Sequence, residues 1–392
     1  MSEWKEYRLG DLCTISSSKR IFAKEYQSTG IPFYRGKEII EKHSGNRISN
    51  ELYIPLEKYN EIKNKYGVPQ EGDMLLTSVG TLGVPYIVRD EEFYFKDGNL
   101  TWFYNFQGLN NYFLYYWFVS PVACFLIDTK SIGSTQKALT IETLKKFEIS
   151  LPPLDTQRRI ASILSSLDDK IAVNKKICEN LEAQAQALFK HWFVDFAPFK
   201  EGKFVESELG SIPEGWRVGR LGEIAEFKRG KTITKSDVKE GSVPVVAGGL
   251  EPAYYHNQSN TSSRVITISG SGANAGFTRM YYQPVWASDC SYVDNDTTSF
   301  LHIAYCYLLT NKKKVDALQW GAAQPHVYAK DVNKLPLVIA PLDVLNQFEE
   351  KISKMFDLIE VKNKEITRLS TLRDTLLPKL MSGEIKVGDV TL

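Results

Sequence analysis

Two stretches of the chain place an apolar residue at alternating spacings of three and four. The first runs Ile160, Leu164, Leu167, Ile171, Asn174, Cys178, Leu181, Ala185, Leu188 and Trp192. The second runs Phe348, Ile352, Met355, Ile359, Lys362, Ile366, Leu369, Arg373, Leu376 and Leu380. A period of 3.5 kept for about four heptads predicts two long helices that meet along a seam. An amphipathic helix lying on its own globular core is the other reading; the matching register in both stretches favours paired helices. Asp155, just behind Pro152-Pro153, and Asp343 are the expected N-caps. Pro378 is expected to kink the end of the second helix and Gly383 to cap it. About forty residues give each helix a length of roughly 60 Å. Each seam carries one matched polar residue near its middle, Asn174 and Lys362. A buried polar seam residue fixes register at a cost in stability, and antiparallel helices would pair these two. The first helix ends in Leu188, Phe189, Trp192, Phe193 and Phe196. This cluster reads equally as a partner surface or as packing on the chain's own domains.

What precedes each helix is repeated as well. Trp4 to Leu12 (WKEYRLGDL) matches Trp216 to Ile224 (WRVGRLGEI), an offset of 212 residues from Trp4 to Trp216. Ile31-Pro32 falls on Val243-Pro244 and Gly36 on Gly248 at the same offset. An apolar run ending in small residues follows in each copy, Met74 to Gly83 (MLLTSVGTLG) and Val265 to Gly276 (VITISGSGANAG). The end of each copy aligns without a gap, GSTQKALTIETLKKF from Gly133 with GAAQPHVYAKDVNKL from Gly321, an offset of 188. The stretch 198–215, with three glycines and two prolines, reads as a linker between copies. The expected organisation is therefore a globular region over 1–152, a helix over 153–197, a linker with a second globular region over 198–340, and a helix with a tail over 341–392. The expected fold class is α+β, with two similar mixed domains on an antiparallel coiled coil, related as a pseudo-two-fold repeat.

Composition narrows the classes. Hydrophobic residues make up 43% of 392 residues, enough for two or three cores. No apolar run approaches a membrane span, and the start MSEWKEYRLG has no signal-peptide core, so a cytoplasmic location is expected. Cys13, Cys124, Cys178, Cys290 and Cys306 are scattered and odd in number, with no C-x-x-C pair. Neither a disulfide framework nor a zinc site fits them. The five histidines show no metal-ligand spacing. The net charge of +1 weighs mildly against a nucleic-acid binder, although a local basic face or partner subunits can supply phosphate contacts.

Two similar domains held by antiparallel helices share the local two-fold symmetry of a DNA backbone. Four segments then make a specific resemblance: Leu151–Ile171 (LPPLDTQRRIASILSSLDDKI), Leu188–Phe199 (LFKHWFVDFAPF), Glu208–Trp216 (ELGSIPEGW) and Leu376–Ile385 (LLPKLMSGEI). In this order, and with the duplicated layout, the chain resembles the specificity subunits of type I restriction–modification systems. The resemblance implies two target-recognition domains, each reading half of a bipartite sequence in double-stranded DNA, with the helices setting the gap. It implies two methylation subunits that dock on the chain and bind S-adenosylmethionine, and restriction subunits that use ATP and Mg²⁺. It implies no cofactor on this chain and no catalysis by it. One departure is that Gln157, usual at the start of the family's helix, has Leu345 as its counterpart in the second copy, with Gln347 two residues on.

Base reading needs polar or cationic side chains on a surface that enters a groove. Candidates in the small-residue loops are Ser78 and Thr81, then Ser269, Ser271 and Asn274; glycines there let the backbone come close to a ligand, and a plain strand turn fits the same residues. The G-x-x-Q loops add Gln136 and Lys137, then Gln324 and His326. The basic residues near each domain start are Lys19, Arg20, Arg35 and Lys37, then Lys228, Arg229 and Lys231. A stand-alone methyltransferase or restriction enzyme is the first alternative. LPPL at Leu151 and DFAPF at Asp195 are the nearest approaches to the adenine methyltransferase tetrapeptide N/D-P-P-Y/F/W and lack it, and no P-loop lysine follows Gly270. A protein-binding coiled-coil scaffold is the second alternative.

Overall fold

The computed structural model describes residues 4–133, 137–321 and 325–390. The chain forms two compact units, Met1–Val173 with Glu365–Leu392, and Asn174–Lys364. The division runs through both long helices, so each unit owns one globular region and half of each helix. The four-segment organisation read from the sequence separates helices from domains; by contact they are not separate.

In unit 1 the chain is closed by its own ends. Strand β1 (Lys5–Arg8) pairs antiparallel with β9 (Glu148–Leu151), Lys5 against Leu151. Between them lie β2 (Thr14–Ser16), β3 (Ile31–Tyr34), β4 (Tyr53–Ile54), β5 (Met74–Thr77), β6 (Pro85–Ile87), β7 (Tyr94–Phe95) and β8 (Leu100–Tyr104). They form two sheets, in the orders β2-β8-β5-β6 and β4-β3-β7. All four residues of β5 are buried, as an uninterrupted apolar run in a central strand requires. The helices are α1 (Leu9–Leu12), α2 (Gly36–His43), α3 (Leu56–Tyr66), α4 (Asn111–Val119), α5 (Pro121–Lys130) and α6 (Ile141–Lys145). Among the described residues no single helix is long and apolar enough to cross a membrane; α4 and α5 pass that test only as a pair bent by 70°. Most of α4 is buried in the unit 1 core.

The first long helix, α7 (Leu154–Phe193), enters unit 2 at Asn174. Unit 2 repeats the plan of unit 1. A hairpin of β10 (Phe204–Ser207) and β11 (Gly210–Pro213) comes first. It occupies the stretch read as a linker, and Ile212, Trp216 and Phe199 tie that stretch into the unit 2 core. Strand β12 (Arg217–Arg220) pairs with β20 (Pro336–Ile339), Arg217 against Ile339. This ladder is the β1–β9 ladder displaced by 212 on one strand and 188 on the other, which is why both offsets appear in the sequence. The other strands are β13 (Lys228–Arg229), β14 (Val243–Val246), β15 (Tyr254–His256), β16 (Val265–Ser269), β17 (Thr278–Tyr281), β18 (Trp286–Ala287) and β19 (Cys290–Asp294). Their orders, β13-β19-β16-β17 and β15-β14-β18, reproduce those of unit 1. Helices α8 (Leu301–Thr310), α9 (Lys312–Asp316) and α10 (Ala329–Val332) precede the second long helix, α11 (Leu342–Ser382). Unit 2 has no helix between β14 and β16, where unit 1 carries α2 and α3.

The two long helices run antiparallel within each unit. In unit 1, Asp168 meets Arg373 at 2.6 Å and Lys170 meets Glu365 at 3.8 Å. In unit 2, Cys178 Sγ lies 3.9 Å from the Ile359 carbonyl oxygen and Phe193 packs on Phe348 with ring centroids 4.8 Å apart. The seam residues Leu164, Leu167, Ile171, Ile352 and Ile359 are buried, while Leu181, Met355, Lys362 and Leu369 are half-buried. Toward the end of α7 the buried stripe moves to Ala185, Phe189 and Phe193, leaving Leu188 and Trp192 half-buried. A straight helix drifts against a 3.5 repeat in this way, and here the drift turns α7 onto the unit 2 core. The apolar cluster at the helix end thus packs on its own unit.

Three local expectations are corrected. The helices begin at Leu154 and Leu342, so Asp155 and Asp343 sit in the first turn, where they favour the helix dipole rather than cap. Helix α11 runs through Pro378 to Ser382, and Gly383 at φ +75° provides the left-handed stop. Asn174 and Lys362 make no side-chain hydrogen bond: Asn174 is fully buried and neither amide atom has a partner. Burial pushes the Cys178 thiol up, and Lys362 nearby pulls it partly back. Replacing Asn174 by leucine removes an unsatisfied buried amide, so N174L is expected to stabilise the chain by about 1–3 kcal/mol. The check is the urea unfolding midpoint; a lower midpoint than wild type contradicts the account.

Candidate nucleic-acid interface

In each unit the two small-residue loops picked out in the sequence lie side by side. In unit 1, Val79 bridges Ala138, and Ala138 bridges Ile132. The Gly80 N–H donates to the Lys137 carbonyl at 3.2 Å, and the Leu139 N–H to the Ser78 carbonyl at 2.9 Å. In unit 2, Ser271 bridges His326, and His326 bridges Trp320. The Gly272 N–H donates to the Pro325 carbonyl and the Val327 N–H to the Gly270 carbonyl, both at 3.0 Å. These are the same bonds at the same offsets. Gly80 and Gly272 have φ of +81° and +80°, and Gly133 and Gly321 have +101° and +92°. Left-handed backbone at these points explains why glycine stands there in both copies. Behind the loops, α5 and α9 take equivalent places, with Ile127 against Gly83 and Val315 against Gly276. Each unit therefore presents a three-segment ribbon built to one plan and furnished with different side chains.

The candidate residues divide on this frame. Thr81, Lys137, Ser271, Asn274 and His326 lie on or beside the ribbons, Thr81 and Lys137 exposed and the other three half-buried. Lys137 pairs with Asp128 at 2.8 Å, and Ser271 donates to Asp289. Gln136 and Gln324 fall outside the described residues. Ser78 and Ser269 are corrections. Both are buried at strand ends; the Ser78 hydroxyl bonds the Thr101 hydroxyl at 2.6 Å and the Ser269 hydroxyl donates to the Gly248 carbonyl at 3.0 Å. They hold the sheets together and are unavailable to a base. Arg35 is largely committed as well, bonded to the buried Glu38 at the start of α2, at 2.5 Å in one contact. Lys37, Lys19 and Arg20 remain exposed; Lys19 lies over the Tyr66 ring and Arg20 pairs with Asp97. Lys228 and Arg229 form an exposed edge strand beside β19, and Lys231 lies over Trp286.

Several exposed residues beside the ribbons carried no signal in the sequence reading. Lys312, Lys313 and Lys314 on α9 put a basic run next to the unit 2 ribbon, although Lys312 pairs with Asp316. The K-K-K run was legible as charge, but not its position. Ile132 and Trp320, and the Tyr328 ring stacked on His326 with centroids 6.0 Å apart, needed the bridges to be noticed.

Buried polar contacts hold each globular region on its helix halves. In unit 1 the Tyr116 hydroxyl donates to Asp168 at 2.7 Å, and Asp168 also takes Arg373. In unit 2 the Tyr305 hydroxyl donates to Glu182 at 2.7 Å, and Arg264 joins Glu360 and Asp357 at 2.6 and 2.7 Å. Burial, reinforced by the facing carboxylate, pushes both phenols well above the ordinary tyrosine range, which keeps them donors. All five cysteines are free, and the described residues contain no cluster of three or more His, Cys, Asp or Glu able to hold a metal.

A family profile described as the type I restriction modification DNA specificity domain matches residues 1–183 and 213–371. The chain belongs to this family. The two matched stretches take in most of both units. Among relatives in the family, the chain is 27% identical over 426 residues to the type I restriction enzyme MjaIX specificity subunit of Methanocaldococcus jannaschii, covering 99% of this chain and 95% of that one. It is 24% identical to the HindI specificity subunit of Haemophilus influenzae, covering 98% and 100%. The crystal structure of a type I restriction–modification S subunit from M. genitalium shares the fold, with a TM-score of 0.60, 18% identity and 96% of each chain covered.

Proposed function

We propose that this specificity-domain protein reads a bipartite DNA sequence for a type I restriction–modification complex, one half-site per unit. The duplicated ribbon carries this reading. One backbone design is kept in both units, and the side chains on it differ, as two heads reading different half-sites require. Thr81, Lys137, Lys19, Arg20 and Lys37 are the contacts offered by unit 1. Ser271, Asn274, His326, Lys228, Arg229 and Lys231 are those of unit 2. The lysines address phosphates, and the polar side chains and open glycine loops address base edges. Both long helices pass through both units, so the gap between half-sites follows helix length, at 1.5 Å per residue.

Methyl transfer belongs in this reading to two methylation subunits that dock on the chain and bind S-adenosylmethionine. Cleavage belongs to restriction subunits that use ATP and Mg²⁺, and the setting is the cytoplasm. The chain itself supplies recognition without catalysis; it lacks the adenine methyltransferase tetrapeptide. Genome-wide mapping of methylated adenines in cells with and without the chain tests this. The expected outcome is a split target with a fixed unread gap, methylated only when the chain is present. Methyl transfer by the chain alone would overturn it.

A further inference from the structure

Single exposed apolar residues are ordinary on a protein surface. A large one at the same place in both copies of a diverged repeat is not. Ile132 is 57% exposed and Trp320 is 65% exposed. They lie 188 residues apart, the offset that also relates the closing strands β9 and β20. Each is the outer member of its ribbon, Ile132↔Ala138↔Val79 in unit 1 and Trp320↔His326↔Ser271 in unit 2. Trp320 exchanges both backbone hydrogen bonds with His326 at 2.9 Å, as Ile132 does with Ala138 at 2.9 and 2.8 Å. The backbone beneath each side chain is therefore pinned while the side chain stands in solvent. Cations flank both: Lys130 and Lys137 in unit 1, Lys314 and Lys330 in unit 2.

An apolar side chain on a rigid mount amid positive charge fits one partner chemistry, the stacked interior of a duplex between its phosphates. Proteins that bend DNA insert isoleucine, leucine or phenylalanine between base steps in this way. We infer that Ile132 and Trp320 are wedges that enter the base stack, one in each half-site. The inference rests on the DNA-reading function proposed above. Unit 2, with the indole beside the stacked His326 and Tyr328, opens its step further than unit 1 does with isoleucine. Each half-site is then recognised partly by how easily its step unstacks, a sequence dependence that needs no hydrogen bond to a base.

The test uses the complex of the full chain with its methylation partner, on duplexes carrying the mapped target. 2-Aminopurine is placed at each position of both half-sites except the methylated adenine. Wild-type complex should raise the fluorescence at one step in each half-site. Trp320→Ala should lose the signal in the unit 2 half-site alone and weaken binding about tenfold, as loss of one stacking contact does. Ile132→Ala should lose it in the other half-site alone, and Trp320→Phe should keep it. Unchanged fluorescence in both variants, with specific binding retained, overturns the wedge and leaves the DNA-reading function standing. An equal loss at both half-sites also overturns it. A wild-type complex that shows no sequence-specific retention takes the DNA-reading function and the wedge down together.

Discussion

Replacing Glu349 by alanine is expected to cost unit 2 about 3–5 kcal/mol, the range for removing one member of a buried, hydrogen-bonded charge pair. Helix α8 starts at Leu301 with no side-chain cap of its own. Its first N–H groups are satisfied from another element. Glu349 on α11 accepts from the His302 N–H at 3.1 Å and from the Ile303 N–H at 3.0 Å. The same carboxylate takes His302 Nδ1 at 2.6 Å, and the imidazole lies flat on Phe356, with centroids 4.6 Å apart. A carboxylate at a helix N-terminus meets both the orphan donors and the positive end of the dipole. Residues 301–308 are all buried, so water has no route to replace it. In E349A two buried N–H groups and a ring nitrogen lose their acceptor together. Glu349→Gln should fall between, since one amide oxygen still accepts and the amide NH₂ cannot. Hydrogen exchange of the α8 amides in the full chain measures the effect. Protection within a few tenths of a kcal/mol of wild type in E349A would refute this role.

That contact also shows what a linear reading could and could not reach. The duplication and the long helices were legible because both are periodic in sequence. The offsets of 212 and 188 are the two strands of one ladder, and the 3.5 repeat marks the helix faces. Burial that depends on distant partners was not legible. Ser78 and Ser269 have the composition of ligand-binding loop residues, and only Thr101 and the Gly248 carbonyl reveal that they close a sheet. Asn174 and Lys362 are matched on the seam, yet matching in sequence does not bring an amide within bonding distance. The candidate loops were found one by one. That each glycine loop pairs with the G-x-x-Q loop about sixty residues on is a property of chain closure, which follows from the β1–β9 and β12–β20 ladders and from no local pattern.

The position at which the two copies differ in the family's own helix motif yields the second large effect. Gln157 is 1% exposed, inside the first turns of α7. Its Oε1 accepts the Asn110 N–H at 2.9 Å, and its Nε2 donates to the Gly108 carbonyl at 3.1 Å and the Pro152 carbonyl at 2.9 Å. One side chain thus completes the backbone of the loop 108–110 and of the turn into the helix. Asn110 in turn caps α4, its Oδ1 accepting from the Phe113 N–H at 2.9 Å. Gln157→Leu keeps the volume and orphans three backbone groups, so about 2–4 kcal/mol should be lost, with faster hydrogen exchange at the start of α4. The counterpart in unit 2 is Leu345, buried in the apolar core there. Leu345→Gln should cost about 1–3 kcal/mol for the opposite reason, an amide buried among groups that offer it nothing. If instead Leu345→Gln is neutral and Gln157→Leu is neutral too, the glutamine is not a local lock, and its difference between the copies carries no structural weight. If both variants destabilise as expected, each unit has set its own partners around a shared helix start, and the departure from the motif is compensated rather than tolerated.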